Sequence, residues 1–323
     1  MPYAIQIKET GGPEVMQAID TETLEPGAGE IRIAQSAIGL NFIDTYHRTG
    51  LYPVPLPAVL GMEAAGTVDA VGDGVSGIST GDRVAYAGGG VGAYTDSRII
   101  NAGSVVKIPD SLSDEAAAAL MLKGFTATYL IHRTYQAQKG DTVLLQAAAG
   151  GVGLIACQIL KQTGATVIGT VGNKEKADLA RAHGCDHPVI YTEENFKDRL
   201  LEITDGKGVP VVYDSVGAST FEDSLDCLAP FGTFVSFGNA SGPVPPFNPG
   251  ILSQKGSLYF TRPTLMSHIA TPEQIAELAG WLFGYVENGL KIEVNQKFPL
   301  KDATAAHVAL ENRETTGSTV FLP

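Results

Sequence analysis

Two periodicities divide the chain. From Tyr3 to about Pro109, apolar and polar positions alternate: Tyr3, Ile5 and Ile7, then residues 30–34, 66–71 and 82–86. A period of two predicts half-buried antiparallel strands. Gly11-Gly12-Pro13, Gly72-Asp73-Gly74 and Gly88-Gly89-Gly90 punctuate these runs, which predicts a compact, barrel-like β domain. Residues 109–115 offer several N-caps and acidic first-turn positions ahead of an Ala- and Leu-rich helix. Gly124 punctuates that helix, and residues 125–131 resume it.

From Thr142 the pattern becomes strand, helix, strand, helix. Strands are expected at 142–145, 165–170, 188–191, 210–214, 232–237 and 257–260, with helices at 174–183, 195–204 and 220–228 between them. Six strands linked in this way give an α/β fold with a doubly wound parallel sheet. Beyond Thr261 the alternation stops. Thr271-Pro272-Glu273 starts a helix running through Trp281 to about Asn288, residues 302–312 form another, and residues 318–322 end as a strand. This tail should pack back on the β domain. The expected organisation is residues 1–123 as the first segment of a substrate and catalytic domain, 124–262 as a nucleotide domain, and 263–323 as the return.

The candidate chemistry centres on residues 141–153, where the apolar run Val143-Leu144-Leu145 meets a cluster of Ala and Gly and a helix follows. Small side chains let a phosphate approach the backbone N–H groups and the positive end of the helix. Two registers fit a dinucleotide fingerprint. One is Ala148-Ala149-Gly150-Gly151-Val152-Gly153, with Ala in the first Gly position; the other is Gly151-Val152-Gly153-Leu154-Ile155-Ala156. The second strand ends at Gly172-Asn173 without the acid that usually holds an NAD ribose, and Lys174 and Lys176 follow. A carboxylate would repel a 2′-phosphate and an ammonium attracts it, so NADPH is the expected dinucleotide.

Composition narrows the partners. Over 323 residues, 44% are hydrophobic and 18% charged, and the 38 glycines suit many tight turns. The net charge of −13, with no basic run, argues against nucleic acid as a partner. No window suits a membrane span or a signal peptide. Cys157, Cys185 and Cys227 lie far apart in sequence and read as reduced, structural thiols, so a soluble cytoplasmic protein is expected.

Gly11-Gly12-Pro13-Glu14-Val15, residues 41–46, Gly61-Met62-Glu63-Ala64-Ala65-Gly66, the 147–153 loop and Tyr213-Asp214-Ser215-Val216-Gly217 together resemble the quinone oxidoreductases. These are the zeta-crystallin-like branch of the medium-chain dehydrogenase/reductase superfamily, and the likeness runs the full chain, through Ser236-Phe237-Gly238-Asn239-Ala240-Ser241-Gly242 to the terminus. The resemblance implies a GroES-like β domain with an inserted Rossmann domain. Zinc-dependent cousins carry Cys, His and Cys where this chain has Asn41, Met62 and Lys123. An amide, a thioether and an ammonium are poor zinc donors, so no metal is expected.

A quinone accepts electrons without a Lewis acid, needing mainly proximity, stacking and a hydrogen bond to the developing oxyanion. The resemblance implies that Asn41, Asp44, Tyr46 and Tyr52 surround the nicotinamide and substrate, with Asn41 and Tyr46 as hydrogen-bond donors. Tyr52 serves as an aromatic wall or as loop packing, and Asp44 can be structural, capping a helix. For the cofactor it implies Asn41 and Tyr46, then Thr126, Gly150, Gly151, Val152, Gly172, Lys176 and Tyr191. Val216, Phe237, Gly238, Asn239 and Ser241 complete that set, and Phe260, Thr261 and Arg262 approach from the last strand. His47, His132 and His268 are expected on the surface or in packing. The resemblance further implies a homodimer joined near residues 257–260. Reduction of 2-alkenals is an alternative that needs the same cofactor geometry; RNA binding is another, against which the acidity weighs.

Overall fold

The computed structural model describes residues 2–323. Contacts divide the chain into two compact units: one runs up to Phe125 and adds Ile269–Phe283 and Ile292–Pro323, the other is Thr126–His268 with Gly284–Lys291.

The first unit opens with eight strands: β1 (Tyr3–Ile7), β2 (Gln17–Asp20), β3 (Glu30–Leu40), β4 (Ala58–Val59), β5 (Glu63–Val71), β6 (Arg83–Ala87), β7 (Ser97–Asn101) and β8 (Val105–Lys107). β1 lies between β2 and β4 in a small antiparallel sheet. The long strand β3 pairs antiparallel with β5 and β7, and β6 joins β5 to β8. The alternation seen in the sequence is the reason: Ile31 and Ile33 point into a core with Val68, Val84 and Tyr86, while Arg32 faces outward to Asp69 at 2.8 Å.

Two helices in this region differ from the sequence reading. α1 (Phe42–Thr49) was legible only as a capping role for Asp44, which accepts the Asn41 N–H at 2.9 Å, and it stops at the left-handed Gly50. α2 (Asp114–Tyr129) runs straight through Gly124. Gly124 lacks the Cβ that would sit 2.6 Å from a Leu282 methyl, so this glycine makes room for a packed neighbour and the helix continues.

The second unit alternates β9 (Thr142–Leu145), α3 (Gly151–Thr163), β10 (Thr166–Val171), α4 (Lys174–Ala182), β11 (His187–Ile190), α5 (Phe196–Ile203) and β12 (Val209–Asp214). It continues with α6 (Phe221–Asp226), β13 (Leu228–Ser236), α7 (Gly250–Gln254) and β14 (Tyr259–Thr261). The six strands are parallel, in the order β11-β10-β9-β12-β13-β14. The order reverses beside β9, which opens a crevice beyond the carboxyl ends of the strands. Cys157, Cys185 and Cys227 are free and buried, and burial pushes the Cys227 thiol up to about 12.

The tail supplies α8 (Pro272–Glu287), β15 (Val294–Pro299), α9 (Ala303–Glu311) and β16 (Ser318–Leu322). Thr271 and Gln274 cap α8 reciprocally, each side chain accepting the other's N–H. β16 returns to the first unit's sheet, antiparallel to β3 with Phe321 opposite Ile38 and parallel to β15. Among the described residues, no helix is long and apolar enough to cross a membrane.

Candidate active site

The dinucleotide edge of the second unit is set by register. Leu145 of β9 pairs with Gly169, Val171 of β10 with Ile190, Asp214 of β12 with Ser236, and Val235 of β13 with Thr261. The strands therefore end together. Gly150, Gly151 and Val152 follow β9; Gly172 and Lys176 follow β10; Tyr191 follows β11; Val216 follows β12; Phe237, Gly238, Asn239 and Ser241 follow β13; and Thr261 and Arg262 close or follow β14. Thr126 lies within α2 and Phe260 within β14, where the Phe260 ring stacks on Phe234 with centroids 5.4 Å apart.

Geometry distinguishes the two fingerprint registers. A Cβ at Gly153 would lie 2.4 Å from the Ala147 carbonyl oxygen, so helix and turn approach as closely as only glycine allows. That is the third glycine of the 148–153 register. The left-handed residue of the turn is Ala147, with φ 58°, one position before the expected Ala148. Gly150 is the N-cap of α3, whose first N–H groups face the edge. On the neighbouring strand, the Asn173 side chain caps α4 by accepting the Lys176 N–H at 2.9 Å, and a Cβ at Gly172 would lie 2.9 Å from the Tyr191 hydroxyl. No carboxylate stands at residues 170–173, and Tyr191 is 44% exposed.

The first unit carries a different kind of site. Glu63 on β5 is fully buried, and its carboxylate accepts from Lys123 Nζ at 2.6 Å, Asn41 Nδ2 at 2.8 Å and the Leu122 N–H at 2.6 Å. Because a carboxylate only accepts, the Asn41 nitrogen must face it, leaving Asn41 Oδ1 as an acceptor. One Asn41 N–H is committed to Glu63, and the second lies 3.4 Å from the Gly39 carbonyl oxygen. Asp44, beside it, has the Asn41 N–H and the Tyr94 hydroxyl on Oδ2, each at 2.9 Å. Burial pushes its carboxyl up to about 7, against the pull of those two donors.

Behind Asp44 the chain of bonds continues. Tyr94 meets His307 Nε2 at 3.0 Å, His307 Nδ1 meets Arg48 Nη1 at 2.9 Å, and Arg48 Nη2 reaches the half-exposed Glu311 at 2.7 Å. Arg48 can only donate, so His307 Nδ1 accepts and Nε2 carries the proton toward Tyr94. Burial, then the neighbouring guanidinium, push His307 down to about 3, so it stays neutral. No sequence pattern points to Glu63, Tyr94, Arg48 or His307, and the sequence marks Lys123 only as an unsuitable zinc donor. Tyr46 is buried on α1 and packs edge-on to Tyr52 with centroids 5.2 Å apart; His47 is buried beside Tyr52. His132 packs on Tyr285 and His268 stacks on Tyr129.

Comparisons with known proteins agree with both halves of this description. The family described as "Alcohol dehydrogenase GroES-like domain" matches residues 27–110, and that described as "Zinc-binding dehydrogenase" matches residues 151–283. The pairing defines the class, a medium-chain dehydrogenase/reductase built from a GroES-like domain and a Rossmann domain. Within it, the chain belongs to the quinone oxidoreductase family. It is 55% identical to a quinone oxidoreductase of Pseudomonas aeruginosa over 100% of both chains. A crystal structure of Escherichia coli quinone oxidoreductase complexed with NADPH superposes with a TM-score of 0.97 at 50% identity, covering 99% of this chain and 100% of that one. A 2-haloacrylate reductase of Burkholderia is 43% identical over 100% of this chain and 99% of its own. The zinc in the second family's description attaches to a region that lacks residues 41, 62 and 123.

Proposed function

We propose that this protein reduces quinones with NADPH and without a metal. The observation that carries the reading is the full-length 55% identity to a quinone oxidoreductase. The residues of the dinucleotide edge fit NADPH: a glycine-tight turn at a helix N-terminus for the pyrophosphate, Lys176 for the 2′-phosphate, and no carboxylate at the end of β10 to repel it. The donor set at residues 41, 62 and 123 does not suit zinc, since Lys123 is an ammonium bonded to Glu63 and the Asn41 nitrogen is bonded there too. When bound, NADPH supplies the hydride, and a proton from solvent completes the hydroquinone.

Asn41, Asp44, Tyr46 and Tyr52 serve the reacting end. Asn41 offers an acceptor, held from behind by Glu63 and Lys123; Tyr46 offers a hydroxyl to the quinone oxygen; Tyr52 offers a ring edge against a planar substrate; and Asp44 fixes the backbone of Asn41. Steady-state rates with 1,4-benzoquinone, 9,10-phenanthrenequinone, a 2-alkenal and a 2-haloacrylate, each with NADPH and with NADH, test this. Quinone turnover preferring NADPH is expected; negligible quinone turnover sinks the reading. The 2-haloacrylate reductase relative supports the second one, reduction of an activated double bond.

A cytoplasmic homodimer completes the proposal. Three free, buried thiols suit a reducing compartment, and β14 is a sheet edge carrying Tyr259, 62% exposed, near Phe231, 70% exposed. Light scattering that reads a monomer overturns the dimer.

A further inference from the structure

Beneath the dinucleotide edge lie four polar side chains that no glycine motif points to: Gln146, Thr170, Asp214 and Ser224, all buried. Asp214 Oδ1 accepts the N–H groups of Val216 at 2.7 Å and Gly217 at 2.9 Å. Its Oδ2 accepts the hydroxyls of Thr220 at 2.6 Å and Ser224 at 3.3 Å. Burial raises this carboxyl's pKa, while the two N–H groups and two hydroxyls around it pull the other way, and we take it as the carboxylate that accepts on both oxygens.

That charge dictates the direction of every bond beyond it. Ser224 has one proton and gives it to Asp214, so its oxygen accepts from Gln146, which presents Nε2 at 3.0 Å. The amide then turns Oε1 to Thr170, whose hydroxyl donates at 2.5 Å. With its proton committed, Thr170 Oγ1 accepts the Ala147 N–H at 3.1 Å. The chain ends on the residue whose left-handed φ of 58° shapes the turn. A non-glycine residue held there stores about 1 to 2 kcal/mol, and the Ala147 carbonyl, accepting the Gly150 N–H at 3.0 Å, leads directly into α3.

We infer that Thr170, Gln146 and Ser224 are positioning residues for the NADPH pyrophosphate, holding the Ala147 turn and the start of α3 in the shape a phosphate needs, with Asp214 setting their polarity. The inference rests on the reading that NADPH lies on this edge. The same carboxylate also holds Val216, whose carbonyl accepts the Ser241 N–H at 2.8 Å, so one network supports the loops after β9, β12 and β13.

The test is a calorimetric titration of Thr170→Val, Thr170→Ser and the unaltered protein with NADPH and with adenosine 2′-phosphate, which has no pyrophosphate. Leaving the Ala147 N–H without its acceptor should weaken NADPH about tenfold. Adenosine 2′-phosphate should stay within about twofold, and Thr170→Ser should restore NADPH to within about threefold. Should Thr170→Val not fold, Ser224→Ala, which strips the acceptor from Gln146 Nε2, should weaken NADPH about threefold and spare adenosine 2′-phosphate. Unchanged NADPH affinity, equal weakening of both ligands, or failure of serine to rescue overturns the inference. An unaltered protein that binds neither ligand overturns the cofactor reading itself, and the inference with it.

Discussion

The dinucleotide edge of the second unit and the polar cluster of the first solve different problems with different material. At the edge, backbone N–H groups face outward and the side chains are small, so what matters is volume: a Cβ at Gly153 would meet the Ala147 carbonyl oxygen at 2.4 Å. In the cluster, Asn41, Asp44, Glu63, Lys123, Tyr94 and His307 are buried side chains from distant segments, and what matters is charge. The first kind of site is sensitive to added bulk, the second to removed charge.

The comparison breaks most visibly at Lys123. Lys123→Met leaves the buried Glu63 carboxylate without its cation and should destabilise the protein by about 4 kcal/mol in urea unfolding. Changing Glu63 to Gln as well should return much of that, and NADPH affinity should stay near the unaltered value. A single variant as stable as the parent would show that the Asn41 and Leu122 donors suffice.

A pH experiment sharpens the same contrast. His307 sits near 3 in the folded protein against an ordinary 6.5, so its contribution is whole above 6.5 and is lost as pH falls. Asp44 sits near 7 against an ordinary 3.8, so its contribution is whole below 3.8 and is lost as pH rises through 7. Between 3.8 and 6.5 the two slopes oppose and cancel. His307→Gln removes one of them, and stability should then fall by about 1.4 kcal/mol per pH unit over that window, about 3 kcal/mol between pH 4.5 and 6.5. Parallel pH curves for variant and parent would remove the titrations from the cluster's description.

Smaller effects belong to the edge. Gly153→Ala forces backbone against backbone and should cost about 2 kcal/mol of NADPH binding, roughly thirtyfold in Kd. Lys176→Ala should weaken NADPH about tenfold and leave NADH unchanged, because only the 2′-phosphate loses its cation. Equal losses for both dinucleotides would move the 2′-phosphate site elsewhere.

The same division explains what could be read from the sequence. The edge is local: strand, turn and helix lie within residues 142–163, and their glycines and periodicity are consecutive. The six strands, their order of appearance and the candidate residues after each strand end were therefore visible in the chain. The cluster is not local. Arg48 meets His307 across 259 positions and Glu63 meets Lys123 across 60, and neither separation leaves a pattern. The eight-residue α1 escaped because it is shorter than the stretch over which a helical period declares itself. Gly124 reads as a break in the sequence because the neighbour that requires it, Leu282, lies far along the chain. Gln146 after β9, Thr170 in β10 and Ser224 on α6 meet only in the fold, and single buried polar residues on three separate elements carry no motif.

The return strand has a consequence for how the protein is made. β7 covers β3 at residues 30–34, but Ile38–Leu40 on the same side pair with β16, drawn from residues 318–322, so that stretch has no partner until this late segment has been synthesised. The parallel sheet, drawn from residues 142–261, can close earlier. During synthesis the second unit should therefore reach its native state first, while the first waits with an open edge, and that interval is when the nascent chain is most exposed to aggregation.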